Sequence, residues 1–196
     1  MKTLVAVLLM AVSFSTAGDL KSLKAGDTVP AFTLKNYDKK DVSLEGVLKE
    51  NQYAVVMFIA TRCPVSNAYN GRMADLSGSF SGKKVGFIGI NSNKSETAEE
   101  IRDHAKEHKF GFPVVKDPNN LIADVFGAMV TPEIFVVDKN MKLLYHGRID
   151  DNRKEGEVTK KDLADALSAI LAGKEVAKDQ PRAFGCSIKR VEDSAP

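Results

Sequence analysis

Cysteine and histidine are scarce in this chain: 196 residues hold two of the first and three of the second. Two cysteines form at most one disulfide, which excludes a multiply stapled scaffold. His104 and His108 stand four apart on a helical stretch, with only Asp103 and Glu107 as acidic neighbours. That set is thin for a metal centre, and we read the pair as a solvated helix face. Charge of one sign is lacking too. Twenty-eight basic residues face 26 acidic ones, for a formal net charge of +2. No basic run stands out, so no nucleic-acid partner is expected. No apolar run reaches the roughly 20 residues that span a bilayer. Repeats and low-complexity segments are absent, and the glycines of "GFIGIN" (86–91) are too closely set in a strand for a dinucleotide loop.

What is present begins with an export signal. Lys2 is basic, Leu4 to Phe14 is apolar but for Ser13, and Ser15-Thr16-Ala17 supplies small residues at a cleavage site. This pattern predicts a cleaved signal over residues 1–17, with no stable membrane insertion afterwards and a periplasmic or secreted product. No cysteine near the site is available to carry a lipid. Residues 18–173 are then one domain's worth of chain, and residues 174–196 form a polar tail carrying Cys186.

Hydrophobic patterning gives the element order. Pro30–Leu34 and Val42–Leu44 predict a small hairpin. Tyr53–Ala60, "YAVVMFIA", and Val85–Ile90 are continuous apolar runs, the mark of strands buried on both faces. Between them Val65, Tyr69, Met73, Leu76 and Phe80 recur at helical spacing, and Gly82 stops the helix. Ser95 or Thr97 caps a further helix with Glu99 and Glu100 in its first turn. Pro113–Val115, Ile134–Val137 and Lys142–Arg148 predict strands, the last two antiparallel across the turn at Asp138–Met141. Asn120–Phe126 predicts a short helix and Thr159 opens the last one, with Leu163, Ala166, Leu167, Ile170 and Leu171 as its apolar face. Alternating strands and helices predict an α/β fold with a mixed central sheet flanked by helices.

Cys63 sits where a buried strand gives way to a helix. Free N–H groups in the first helical turn stabilise a thiolate there and lower its pKa. Pro64 suits the first turn, where its missing N–H costs nothing. Arg62 adds positive charge if its side chain turns toward the sulfur. A buried inert thiol is the plainer alternative.

The stretch "ATRCP" resembles the thioredoxin-like reductases of the bacterial envelope. "CPVSNAYNGRM" (63–73), "TPEIFVVD" (131–138), "YHGRIDDN" (145–152) and "GCSIK" (185–189) resemble the peroxiredoxin-like redoxins related to the alkyl hydroperoxide reductase and thiol-specific antioxidant group. The resemblance covers roughly Pro30 to Arg190. It implies a thioredoxin fold, a Thr131–Pro132 loop facing the reactive cysteine with Pro132 cis, and no metal or organic cofactor.

Two departures matter. Ser66 occupies the second position of the thioredoxin Cys-x-x-Cys. Typical peroxiredoxins place a Thr three residues before the cysteine and a Pro seven before. Here those positions are Ala60 and Val56, and Thr61 lies two before. The leading expectation is an exported thiol-based oxidoreductase. Cys63 is its nucleophile, Cys186 is its resolving partner on a mobile tail, and Thr61, Arg62, Pro132 and Arg148 complete the site. Its substrate is a peroxide or a disulfide, and a thiol-donating protein or small thiol returns the electrons. For Arg148 an ion pair with Asp150 or Asp151 is the alternative. Two further readings stay open. One is a thiol–disulfide oxidoreductase of protein clients. The other is a non-catalytic binding module, for instance for copper, whose Cys63–Cys186 disulfide is structural and worth up to roughly 5 kcal/mol in the chain-entropy account.

Overall fold

A computed structural model describes residues 22–176 and 181–191. The expected signal segment therefore lies outside the described residues. Nine strands and six α-helices follow one another: β1 (Thr33–Asn36), β2 (Asp41–Ser43), α1 (Leu44–Glu50), β3 (Tyr53–Phe58), α2 (Pro64–Asn67), α3 (Asn70–Ser79), β4 (Val85–Asn91), α4 (Ala98–Glu107), β5 (Val114–Lys116), α5 (Leu121–Phe126), β6 (Val130–Thr131), β7 (Glu133–Asp138), β8 (Leu143–Gly147), α6 (Asp162–Leu171) and β9 (Cys186–Ser187). Seven strands form one sheet in the order β2-β1-β5-β4-β3-β7-β8, and β6 pairs β9 in a separate ladder. β3 runs parallel to β4 and antiparallel to β7, and β8 returns antiparallel to β7. This is the expected α/β architecture, a mixed sheet flanked by helices.

The apolar runs are central strands because both of their faces are covered. Val55 and Met57 of β3 point into one half of the core, with Tyr69, Met73, Leu163, Leu167 and Ile170 from α6 and the α2–α3 region. Ala54, Val56 and Phe58 point into the other half, with Leu44, Leu48, Phe126 and Phe135. Alternate side chains of a strand leave on opposite faces, so a strand sandwiched between helix layers must be apolar throughout.

Two local expectations change, and one open alternative is decided. Leu44 starts α1 rather than extending a strand, because the Ser43 hydroxyl accepts the Gly46 N–H at 2.9 Å as an N-cap. The helix after Cys63 is broken at Ala68–Tyr69 into α2 and α3. Thr97 is the cap of α4, in a reciprocal capping box with Glu100.

The largest change concerns the tail, whose residues 181–191 are docked, not loose. Pro181 passes so close over Gly147 that a Cβ there would meet its carbonyl oxygen at 2.5 Å. Phe184 meets Tyr69 edge-on, with ring centroids 6.4 Å apart. Ile188 is buried in the core, and its N–H donates to Met129 O at 2.9 Å. Arg190 reaches Asp124 at 2.8 Å. The polar composition hid this docking, since one buried apolar residue and several backbone hydrogen bonds carry it. Ile188→Ala removes a buried side chain and is expected to lower unfolding free energy by about 3 kcal/mol; urea titration with a change of less than about 0.5 kcal/mol would show that the tail is not part of the core.

Candidate active site

Cys63 is the N-cap of α2, in extended conformation (φ −85°, ψ 116°). Its Sγ accepts the Ser66 N–H at 3.3 Å and lies 3.5 Å from Thr131 O, to which the thiol donates. Only 5% of the residue is exposed. Ser66, in the position that holds a second cysteine in thioredoxins, is fully buried, and its Oγ accepts the Ala60 N–H at 3.2 Å. That hydroxyl ties the turn before Cys63 to the helix after it.

The second sulfur arrives from the tail. β9 pairs antiparallel with β6, setting Cys186 opposite Thr131. A Cβ at position 185 would lie 2.0 Å from Thr131 O, so only glycine allows the two backbones to approach this closely. The pairing brings Cys186 near enough to Cys63 for each thiol to shift the other's proton affinity. Both cysteines are free thiols. Thr131–Pro132, the loop expected to face the cysteine, does so, and its peptide is cis.

Burial pushes the Cys63 thiol up. Hydrogen bonds from the Cys186 thiol, the Thr131 hydroxyl and the Ser66 and Cys186 N–H groups outweigh it, and the net direction is down. Cys186 goes the other way: burial and its donation to Cys63 hold its proton on. Of the two thiols, Cys63 is the one that gives up its proton more easily. The Thr131 hydroxyl is buried and makes no other hydrogen bond, and the Thr61 hydroxyl is buried without a partner.

The other expected residues are placed differently. Arg62 is largely exposed, and its guanidinium pairs with Glu100. Its charge is turned to α4 and does not rank among the groups that shift Cys63. Arg148 bonds Asp162 at the start of α6 at 2.7 Å. It pairs with neither Asp150 nor Asp151, and the expectation that it stabilises the thiolate is corrected, because Asp162 holds its charge. The buried arginine is Arg72. It bonds Asp150 at 2.5 Å, donates to Ala68 O, Asn152 O and Arg153 O, and lies 3.7 Å from the Tyr69 ring centroid. Burial, with Asp150 adding to it, pushes the Tyr69 hydroxyl up to about 12. This network clamps the "CPVSNAYNGRM" segment to the "YHGRIDDN" segment.

His104 is not on a solvated face. It is half-buried, within 3.0 Å of both Asn67 and Asn70, and burial lowers its pKa. His146 bonds Glu133 at 2.7 Å and stacks on Phe135. Among the described residues no group of three or more His, Cys, Asp or Glu is assembled to hold a metal ion.

Sequence reasoning missed Glu96. It is 3% exposed, and its carboxylate accepts the Thr61 and Arg62 N–H groups at 2.7 and 3.2 Å and the side-chain amides of Asn91 and Asn93 at 2.5 and 2.9 Å. Burial raises its pKa, but these donors win and hold it below the usual carboxylate range. The only sequence signal was an acidic residue just ahead of the Thr97 cap.

The AhpC/TSA family model matches residues 25–146. This chain belongs to that family. A thiol-disulfide oxidoreductase ResA of Oceanobacillus iheyensis is 25% identical over 78% of this chain and 81% of its own. A chloroplastic peroxiredoxin Q of Suaeda salsa is 24% identical over 74% of this chain and 70% of its own. Among solved structures, a hypothetical protein of Sinorhizobium meliloti is 32% identical, with a TM-score of 0.82 over 88% of this chain and 97% of that one. Thiol:disulfide interchange proteins and peroxiredoxins of lower identity share the thioredoxin-like fold. Family membership and fold thus agree with the four motifs read from the sequence.

Because the donors to Cys63 lower its pKa, removing them should raise it. In the reduced protein the rate of alkylation by iodoacetamide against pH is expected to inflect below the ordinary thiol value at Cys63. Thr131→Val and Cys186→Ala should each move that inflection upward. An unchanged inflection in both variants would show that the thiolate draws its stability from elsewhere.

Proposed function

We propose that this protein is an exported thiol-dependent oxidoreductase of peroxiredoxin-like chemistry, with Cys63 as nucleophile and Cys186 as its resolving partner. The observation that carries the reading is the meeting of an acidified, buried thiol on α2 with a less buried thiol on β9. Burial of Cys63 favours a small oxidant over a folded protein client, since little of the residue is open to a bulky disulfide. Export rests on the leader-like pattern of residues 1–17.

The Cys63 thiolate attacks the outer oxygen of a peroxide. The O–O bond breaks, Cys63 becomes a sulfenic acid, and the departing alkoxide or hydroxide takes a proton to leave as alcohol or water. The Thr131 hydroxyl, which faces Cys63, is the group at hand to hold a peroxide oxygen, in place of the Thr that Ala60 replaces, and the buried hydroxyl of Thr61 is the second candidate. Cys186, carrying its proton until then, attacks the sulfenic sulfur, and water leaves as the Cys63–Cys186 disulfide forms. An external dithiol then restores both thiols. It meets the more open sulfur, Cys186, and expels Cys63, whose low pKa makes it the better leaving group. Pro132 shapes the loop facing the sulfurs, and Arg62 and Arg148 hold the surrounding helices.

The test is the rate of hydrogen peroxide reaction with the fully reduced protein, followed by mass spectrometry of both cysteines. Wild type is expected to form the Cys63–Cys186 disulfide, and Cys63→Ser to form none. Cys186→Ser should stop at a dimedone-reactive sulfenic acid on Cys63. Oxidation no faster than that of a free thiol would overturn the peroxidase reading and favour disulfide exchange with a client.

A further inference from the structure

The two sulfurs come from segments that share no element, so something must hold their separation. The Thr61–Arg62 turn before Cys63 hangs from Glu96 by two backbone N–H groups. The chain after Cys186 hangs from Asn93, whose Oδ1 accepts the Lys189 N–H at 2.7 Å. The neighbouring Lys94 N–H donates to Lys189 O at 2.8 Å. Asn93 and Glu96 are joined: the Asn93 amide donates to Glu96 Oε1 at 2.9 Å, and both side chains are more than nine-tenths buried. The result is a continuous path from the Cys63 turn through Glu96 and Asn93 to the Cys186 strand.

We propose that the Glu96–Asn93 pair is the positioning device of the redox couple, setting the approach of Cys186 to Cys63. This rests on reading the two cysteines as that couple. Neither residue touches the sulfurs. Each acts through the backbone it holds: Glu96 through the Cys63 turn, Asn93 through the segment of Lys189. Asn120 supports the same segment one step further, accepting the Val191 N–H at 2.7 Å. The arrangement splits the chemistry in a predictable way. Attack by Cys63 on an external reagent, once its thiol is ionised, needs only the α2 terminus. Closure to the disulfide needs the strand of Cys186 in place as well.

The experiment measures both steps in the full-length chain. Reduced protein is equilibrated with dithiothreitol and its oxidised form. The protein dithiol loses two electrons and two protons to its disulfide, while oxidised dithiothreitol gains both. Asn93→Ala cuts the link to a charged acceptor and frees the Lys189 N–H, a loss of the size that shifts an equilibrium about tenfold. It is expected to displace the equilibrium about tenfold toward the dithiol and to slow closure by a similar factor. The iodoacetamide rate of Cys63, measured at a pH above its inflection so that loss of the Cys186 donors does not enter, should stay within about twofold. Lys189→Pro removes the donor from the other end, is checked for unchanged urea stability, and should give the same split. If wild type shows no Cys63–Cys186 disulfide at any ratio, the proposed couple itself fails. If wild type forms it and both variants match wild type, or lose alkylation and closure equally, the positioning role of Asn93 and Glu96 is overturned.

Discussion

The placement of the two cysteines depends on the contact between Gly185 and the Thr131 carbonyl. It lets β9 lie against β6 with no side chain between, and so sets Cys186 beside Cys63. A thioredoxin obtains the same proximity within one helical turn, from two cysteines three apart. Here the near position belongs to Ser66, which is buried and spends its hydroxyl on the Ala60 N–H. The second sulfur is therefore supplied from the far end of the chain. A partner brought from that distance costs ordering entropy over the whole docked tail. The spread of anchors from Pro181 to Val191 is the offset: an edge-on ring contact, a buried isoleucine, backbone bonds and an ion pair.

Cys63 owes its acidity to short-range donors and not to a neighbouring cation. Both arginines expected at the site are engaged elsewhere, Arg62 with Glu100 and Arg148 with Asp162. Hydrogen bonds to a buried thiolate are effective because little water competes with them, but they demand geometry. That couples the two thiols: Cys186 acidifies Cys63 by donating to it, and retains its own proton for the same reason. The pair has a built-in asymmetry, with the Cys63 thiol the more acidic and the Cys186 thiol the less.

The buried polar groups around this centre are structural in a specific sense. Glu96 satisfies backbone donors of a turn that has no regular hydrogen bonding of its own, and Arg72 satisfies three carbonyls of neighbouring turns. Each replaces a missing secondary-structure ladder with side-chain bonds, as buried backbone polar groups require. The site's loops are thus held firmly although they are irregular.

The sheet, its helices and the place of Cys63 at a strand–helix junction were legible in the sequence, because hydrophobic period and capping chemistry are local. "YAVVMFIA" could only be a strand covered on both faces, and Thr97 with Glu100 announced a helix start. The motifs carried the family and pointed to the Thr131–Pro132 loop. Other features rested on local signals outweighed by stronger ones nearby: the Ser43 cap that opens α1, and the break at Ala68–Tyr69 inside an unbroken apolar period. What only the tertiary structure decided was where the long side chains and the tail go. An arginine's neighbour in sequence says little about its partner in space, and Glu96 is unremarkable until its four donors converge on it. The polar residues 181–191 read as a loose tail because their binding comes from backbone hydrogen bonds and a single buried isoleucine, which composition does not record.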